Sequence, residues 1–209
     1  MDPLFIRGIL VIAAAYLVGA VPFGVIVSRI FDRNVDLRKV GSGNIGATNV
    51  ARALGKWAGI LTLLLDVGKA IFAMALTRMV MGASADGWLA LAGAAVFIGH
   101  VFPVYLRFKG GKGVATALGV VAFLSPVILL KLGVLFGVVF FFTRYVSLGS
   151  LCAAVGLPLA MALAGKPPSF LALAIFIAVV VFFTHRQNIR RLLAGNEPRF
   201  GASKEINSG

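Results

Sequence analysis

Ser42, Asn44, Thr48, Asn49 and Arg52 fall within residues 41–52, interleaved with Gly41, Gly43 and Gly46. Hydroxyl, amide and guanidinium groups donate hydrogen bonds to an anion or its esters, and glycines let backbone N–H groups crowd a ligand oxygen. A second polar stretch, Lys109, Gly110, Gly111, Lys112 and Gly113, opens directly into an apolar run. Cations and glycine amides ahead of a helix N-terminus suit a phosphate, with Lys112 as its main cation. Arg144, Ser147 and Ser150 form a third set, the two hydroxyls about one helical turn apart. The fourth is Thr184, His185 and Asn188, where i, i+3 spacing turns His185 and Asn188 the same way.

Other chemistries fit less well. Gly41-x-Gly43-x-x-Gly46 matches a dinucleotide fingerprint in spacing, but a long apolar helix precedes it rather than a strand. The lysine loop is not a Walker A motif, because Gly113 follows Lys112 and Leu106 occupies the first glycine position. Few carboxylates accompany these stretches, which weighs against a magnesium cluster or a paired-carboxylate mechanism. His100 and His185 are isolated in sequence and Cys152 lies in an apolar run, so no zinc set is visible. Neither histidine begins a His-x-x-x-x-Asp motif, since Tyr105 and Arg190 stand five positions on.

The elements that must position these groups are apolar. Of 209 residues 60% are hydrophobic, far more than a soluble core of that size hides, so the chain reads as an integral membrane protein. The net charge of +13 lies mostly in short segments between apolar spans and lacks the aromatic interleaving of a nucleic-acid groove, so no nucleic acid is expected. Apolar stretches at residues 4–30, 57–81, 88–106, 114–124, 127–143, 146–164 and 170–184 predict an all-α protein with seven transmembrane helices. The fourth is short, and residues 125–126 offer a merger with the fifth. Merging would put Arg144 and the basic tail on the opposite face from the other basic loops, against the positive-inside tendency. The expected topology therefore has the N-terminus outside, the C-terminus cytoplasmic and all four polar stretches on the cytoplasmic face. One membrane domain spans residues 1–200, followed by a polar, disordered tail at 201–209. Asp66 and Lys69, at i, i+3 inside an apolar run, read as a structural ion pair.

Residues 41–55, 99–119 and 184–200 resemble the three motifs of the bacterial acyl phosphate:glycerol-3-phosphate acyltransferases, the PlsY family, and the likeness covers nearly the whole chain. It implies transfer of a fatty acyl group from acyl phosphate to the 1-hydroxyl of glycerol 3-phosphate, giving lysophosphatidic acid and phosphate, the first step of bacterial phospholipid synthesis. It further implies a multi-pass protein of the bacterial inner membrane, without metal or cofactor, in contact with membrane lipids and functionally coupled to the enzyme that makes acyl phosphate. The family's required Ser and Arg fall on Ser42 and Arg52, its glycerol 3-phosphate loop on residues 109–113, its important His and Asn on His185 and Asn188. Its Glu linked to structural integrity falls on Glu197.

The residue inventory suits that reaction. An acyl phosphate is already activated, so the protein mainly has to hold two anions, align a hydroxyl and stabilise an oxyanion. Two proton acceptors stay open, His185 as general base oriented by Asn188 or the departing phosphate, and a covalent acyl-Ser42 intermediate is a third mechanism. Two other classes also stay open. An organic-phosphate transporter should carry polar residues at mid-membrane and repeated halves, and a lipid-binding protein would need no glycine loops.

Overall fold

The computed structural model describes residues 2–82 and 85–201. Among them are ten α-helices and a single 3-10 turn, and no strand. The helices are α1 (Pro3–Ala20), α2 (Phe23–Phe31), α3 (Ala47–Leu54), α4 (Lys56–Met81), α5 (Asp86–Val101), α6 (Val114–Leu124), α7 (Pro126–Thr143), α8 (Val146–Leu163), α9 (Pro168–Thr184) and α10 (Arg186–Leu193), with the turn at Val104–Leu106. Of the polar tail expected at 201–209, all but Gly201 lies outside the described residues, as does part of the turn at 82–87.

Local chemistry sets most boundaries. Proline opens α1, α7 and α9, where a missing N–H costs nothing. The first apolar stretch, expected as one helix, breaks at Pro22 into α1 and α2 because proline cannot donate back to Val18. The third stretch leaves the α-helix at Val101, before Phe102 and Pro103. Residues 47–54, expected within a loop, coil into α3. Ser125, in extended conformation, keeps α6 and α7 separate.

Among the described residues five stretches are long and apolar enough to cross a membrane: Pro3–Phe31, Lys56–Met81, Asp86–Leu106, Pro126–Thr143 and Val146–Leu163. A sixth is added if α9 and α10, bent by 60°, count as one. Helix α6, at about 16 Å, is shorter than the roughly 30 Å of hydrocarbon. Large apolar side chains cover the outside, among them Leu130 at 70%, Phe141 at 73% and Leu163 at 80% exposure. Such a surface suits lipid rather than water.

Inside, Phe97, Met74, Val120, Met161 and Ile177 form a core joining α4, α5, α6, α8 and α9. Helices α1 and α5 touch backbone to backbone: a Cβ on Gly19 would collide with the Val96 carbonyl, and one on Gly99 with the Tyr16 carbonyl. Tyr16 then donates its hydroxyl to the Phe102 carbonyl at 2.8 Å, pinning the end of α5. A smaller cluster of Val27, Leu37, Ile45, Val50 and Ala58 seats residues 41–54 against α2 and α4. That second core holds a polar segment beside a membrane bundle.

Candidate active site

Residues from all four polar stretches line one cavity of about 410 Å³. At its polar end stand Ser42, Asn44, Thr48, Arg52, Lys112, Gly113, Ser147, Ser150, His185 and Asn188, with Asn49 behind them. Three helices begin on it, α3 at Gly46, α6 at Gly113 and α8 at Val146. Helix N-termini carry partial positive charge and unpaired N–H groups. Three of them together with Arg52 and Lys112 make this end a receptor for anions. Toward the bundle, the same cavity runs between Leu118, Val121, Leu132, Phe136, Leu157 and Ile177, an apolar trough.

The first stretch folds around Asn49, which is 1% exposed. Its amide nitrogen donates to the carbonyls of Leu37 at 2.9 Å and Val40 at 3.1 Å, and its oxygen accepts from the Ser42 N–H at 2.9 Å. Asn49, expected to hold substrate, has both its donors occupied by its own loop. Gly41 and Gly43, also expected as ligand contacts, do not line the cavity. They supply left-handed turns at φ +58° and +67°, and a Cβ on Gly41 would collide with the Asn49 oxygen. Ser42, Asn44, Thr48 and Arg52 are left facing the cavity.

The glycine–lysine loop also departs from expectation. The N–H groups of Gly110 and Gly111 donate to the carbonyls of Val101 and His100, each at 3.1 Å. They cap the otherwise unpaired end of α5 and are not free for a ligand. Lys109 is exposed and off the cavity, its carbonyl accepting from Arg38 at 3.0 Å. Lys112 and Gly113 do reach the cavity, and the Lys112 carbonyl accepts from the Thr184 hydroxyl at 3.1 Å.

Asn188 joins this lysine to a carboxylate. Lys112 Nζ donates to Asn188 Oδ1 at 2.5 Å, while Asn188 Nδ2 donates to Glu197 Oε1 at 2.6 Å. Ser147 donates to the same Glu197 oxygen at 2.6 Å, and Arg191 Nε to the other at 2.7 Å. Asn188 therefore orients Lys112 rather than His185, and the Ser147 hydroxyl goes to Glu197. Arg144 does not line the cavity. Left-handed at φ 62°, it accepts from the Phe200 N–H at 2.9 Å and holds the segment that carries Glu197. Ser150 lines the wall but donates to the Val146 carbonyl at 2.9 Å.

These contacts set the protonation states. Burial lowers Lys112 to about 8, with Glu197 opposing and Arg191 and Arg52 adding to the fall. Burial, then Lys112, push His185 down to about 4, against its bond to Val181 and the charge of Glu197. His185 Nδ1 lies 2.8 Å from the Val181 carbonyl, an acceptor only, so Nδ1 carries the proton and Nε2 a lone pair. Burial acts to raise Glu197, but hydrogen bonds from Ser147, Asn188 and Arg191 prevail and hold it below the usual carboxylate value.

Three ionisable lining residues were not among the expected substrate-binding or catalytic groups: Asp66, His100 and Glu197. Glu197 stands nine positions from Asn188, and only the turn after α10 folds it back. Asp66 and Lys69 pair as their spacing indicated, with Oδ1 and Nζ 2.6 Å apart. Among the described residues no cluster of three or more His, Cys, Asp or Glu has metal-holding geometry.

The family model described as glycerol-3-phosphate acyltransferase matches residues 9–195. The glycerol-3-phosphate acyltransferase of Syntrophotalea carbinolica is 46% identical over 197 residues, 92% of this chain and 97% of that protein. A crystal structure of PlsY, an integral membrane glycerol 3-phosphate acyltransferase, in its glycerol 3-phosphate form is similar with a TM-score of 0.88 and 43% identity, covering 93% of this chain and 96% of that one. The lysophosphatidic acid form gives 0.85 and 41%, covering 93% and 95%.

Proposed function

The chain belongs to the glycerol-3-phosphate acyltransferase family, and from that premise we propose its acyl donor, its topology and the path of its proton. It is a membrane-embedded acyltransferase that esterifies glycerol 3-phosphate to lysophosphatidic acid. The donor is acyl phosphate. The observation that carries this is the continuity of one cavity from a cationic end, ringed by three helix N-termini, into an apolar trough. An acyl phosphate has both parts, an anionic head and a chain that gains about 0.8 kcal/mol per CH₂ on leaving water.

Lys112, Arg52 and the N-terminus of α6 hold the glycerol 3-phosphate phosphate. Ser42, Thr48 and the N-terminus of α3 hold the donor head and the oxyanion that forms on its carbonyl. The 1-hydroxyl oxygen attacks that carbon, the bond from carbon to the phosphate oxygen breaks, and the ester forms. His185 Nε2 accepts a hydrogen bond from the hydroxyl and aligns it. An imidazole with a pKa of about 4 is a weak base, whereas phosphate oxygens have a second pKa of about 6. The proton therefore passes to the departing phosphate. The hydrogen bond of Ser42 to Asn49 runs through its backbone N–H, which leaves its hydroxyl to donate to the donor phosphate.

In the bacterial inner membrane the chain crosses seven times, α6 being a short crossing, with the N-terminus outside and the site on the cytoplasmic face. The basic loops around Arg52, Lys112 and Arg186 support that orientation. The cytoplasmic face gives glycerol 3-phosphate and the enzyme that supplies acyl phosphate direct access. The deciding experiment uses purified protein in proteoliposomes, measuring labelled glycerol 3-phosphate uptake and lysophosphatidic acid together. Acyl phosphate, acyl-CoA and acyl carrier protein are compared as donors. Product with acyl phosphate alone is expected. Equal product from acyl-CoA would remove the donor assignment, and uptake without product would turn the reading to transport.

A further inference from the structure

Asp66, Lys69 and His100 are buried at 1%, 5% and 6% exposure, and the reaction above uses none of them. They form one cluster between α4 and the last turn of α5. Lys69 Nζ stands 2.6 Å from Asp66 Oδ1, 2.9 Å from the Val21 carbonyl and 3.1 Å from His100 Nδ1. The Val21 carbonyl sits at the break between α1 and α2 that Pro22 creates. An ammonium has three hydrogens and no lone pair. With Asp66 Oδ1 and the Val21 carbonyl accepting two of them, the third is best placed on an unprotonated His100 Nδ1 at 3.1 Å, the Phe23 ring lying farther off at 5.7 Å. The opposite tautomer would aim an Nδ1–H at Asp66 over 3.4 Å while facing a lysine N–H at 3.1 Å, donor against donor.

With Nδ1 accepting, the ring proton is on Nε2. That edge lies against Gly111, where a Cβ would collide with it, so a side chain at 111 would displace the ring. Gly111 adjoins Lys112, and His100 lines the same cavity as Lys112, Ser42 and His185. The two histidines then enter the cavity with opposite character, His185 with a lone pair on Nε2 and His100 with an N–H.

We propose that His100 is a further substrate-binding residue, its Nε2–H donating to a substrate phosphate oxygen beside Lys112, with Lys69 and Asp66 fixing the tautomer that makes it a donor. The proposal rests on reading the cavity as the glycerol 3-phosphate site. It assigns the buried ion pair a positioning role: Lys69 acts on substrate through His100. The shared ligand chemistry is a phosphate monoanion or dianion, and separate kinetics for the two substrates show whose phosphate is held.

The chain has two histidines, so ¹⁵N-histidine labelling of the intact protein in nanodiscs yields two rings, assigned by His185→Gln. The expected spectrum has His100 protonated on Nε2 and His185 on Nδ1. Glycerol 3-phosphate or acyl phosphate, added alone, moves the His100 Nε2–H signal. Lys69→Met shifts the His100 proton to Nδ1. Kinetically, His100→Leu raises the KM of one substrate by about 10- to 150-fold, the range for a hydrogen bond to a charged group, with kcat changed less. His100→Gln, which keeps an N–H, recovers most of the loss. An Nδ1–H tautomer in the unaltered protein, no response to either phosphate, or a folded His100→Leu enzyme with both KM values unchanged would each overturn the proposal. A Gln variant no better than Leu would do so too. Should the unaltered protein make no lysophosphatidic acid, the functional reading falls, while tautomer and phosphate response still report on His100.

Discussion

Replacing Lys112 by Ala removes the ammonium that the structure places between Asn188 and the anion-binding end of the cavity. Hydrogen bonds to charged groups contribute about 1.5–3 kcal/mol, so kcat/KM for glycerol 3-phosphate should fall about 10- to 150-fold. The larger loss applies if the phosphate also sets the angle of attack. A second signature comes from titration. Burial lowers this lysine to about 8, so the ammonium is present below that pH and lost above it. In the unaltered enzyme kcat/KM should decline about tenfold per pH unit above that point, because this ratio reports the free enzyme. Bound phosphate favours the charged form, so kcat should decline only at higher pH. In Lys112→Ala the limb near 8 should vanish, and in Lys112→Arg it should move out of range. Steady-state kinetics over pH 6–10 on variants that purify and unfold like the parent would measure both. A well-folded Lys112→Ala enzyme with unchanged kinetics for both substrates would refute the assignment and leave Arg52 as the chief phosphate ligand.

His185→Ala should lower kcat rather than KM, by about tenfold or more for a hydrogen bond that strengthens in the transition state. Because His185 sits near 4, no limb near pH 6.5 should belong to it; a limb there that this substitution abolishes would return the proton to the imidazole. Glu197→Gln should destabilise the protein by about 1.5–3 kcal/mol at pH 7, read by thermal unfolding in detergent. The folded pKa of Glu197 is depressed, so its contribution is present above the unfolded value of about 4.3 and is lost as pH falls through the lower folded value. The variant's stability should lack that acid-dependent part. Reporter fusions after Gly195 should read cytoplasmic and fusions at residues 82–87 external; an outward signal after Gly195 would overturn the topology.

Much of the architecture was legible one residue at a time. Apolar runs, prolines at residues 126 and 168 and glycines at 55 and 82 mark helix bodies and ends because lipid burial and backbone sterics act locally. Donor-rich stretches at 41–52, 109–113, 144–150 and 184–188 were visible for the same reason: a run of Gly, Ser, Asn, Lys and Arg stands out in an apolar chain. The Asp66–Lys69 pair follows from i, i+3 spacing alone.

What each polar group does within those stretches was decided by tertiary contacts. An amide or hydroxyl forms few hydrogen bonds, and the nearest unpaired partner takes them. Asn49 turns inward because residues 37–42 wrap around it, and the Gly110 and Gly111 amides turn back because α5 ends beneath them with open carbonyls. Asn188 serves Lys112 and Glu197, whose approach depends on the fold of residues 194–197, while i, i+3 spacing suggested His185. His100 meets Asp66 and Lys69 because α5 packs on α4, and glycines at 19 and 99 let α1 close against α5, so that the Val21 carbonyl comes to the same ammonium. Residue types and helix periodicity determined which groups were present and on which segments. The packing of distant helices determined which of them remained free for a ligand, since a hydrogen bond already made within the protein is one that a substrate cannot use.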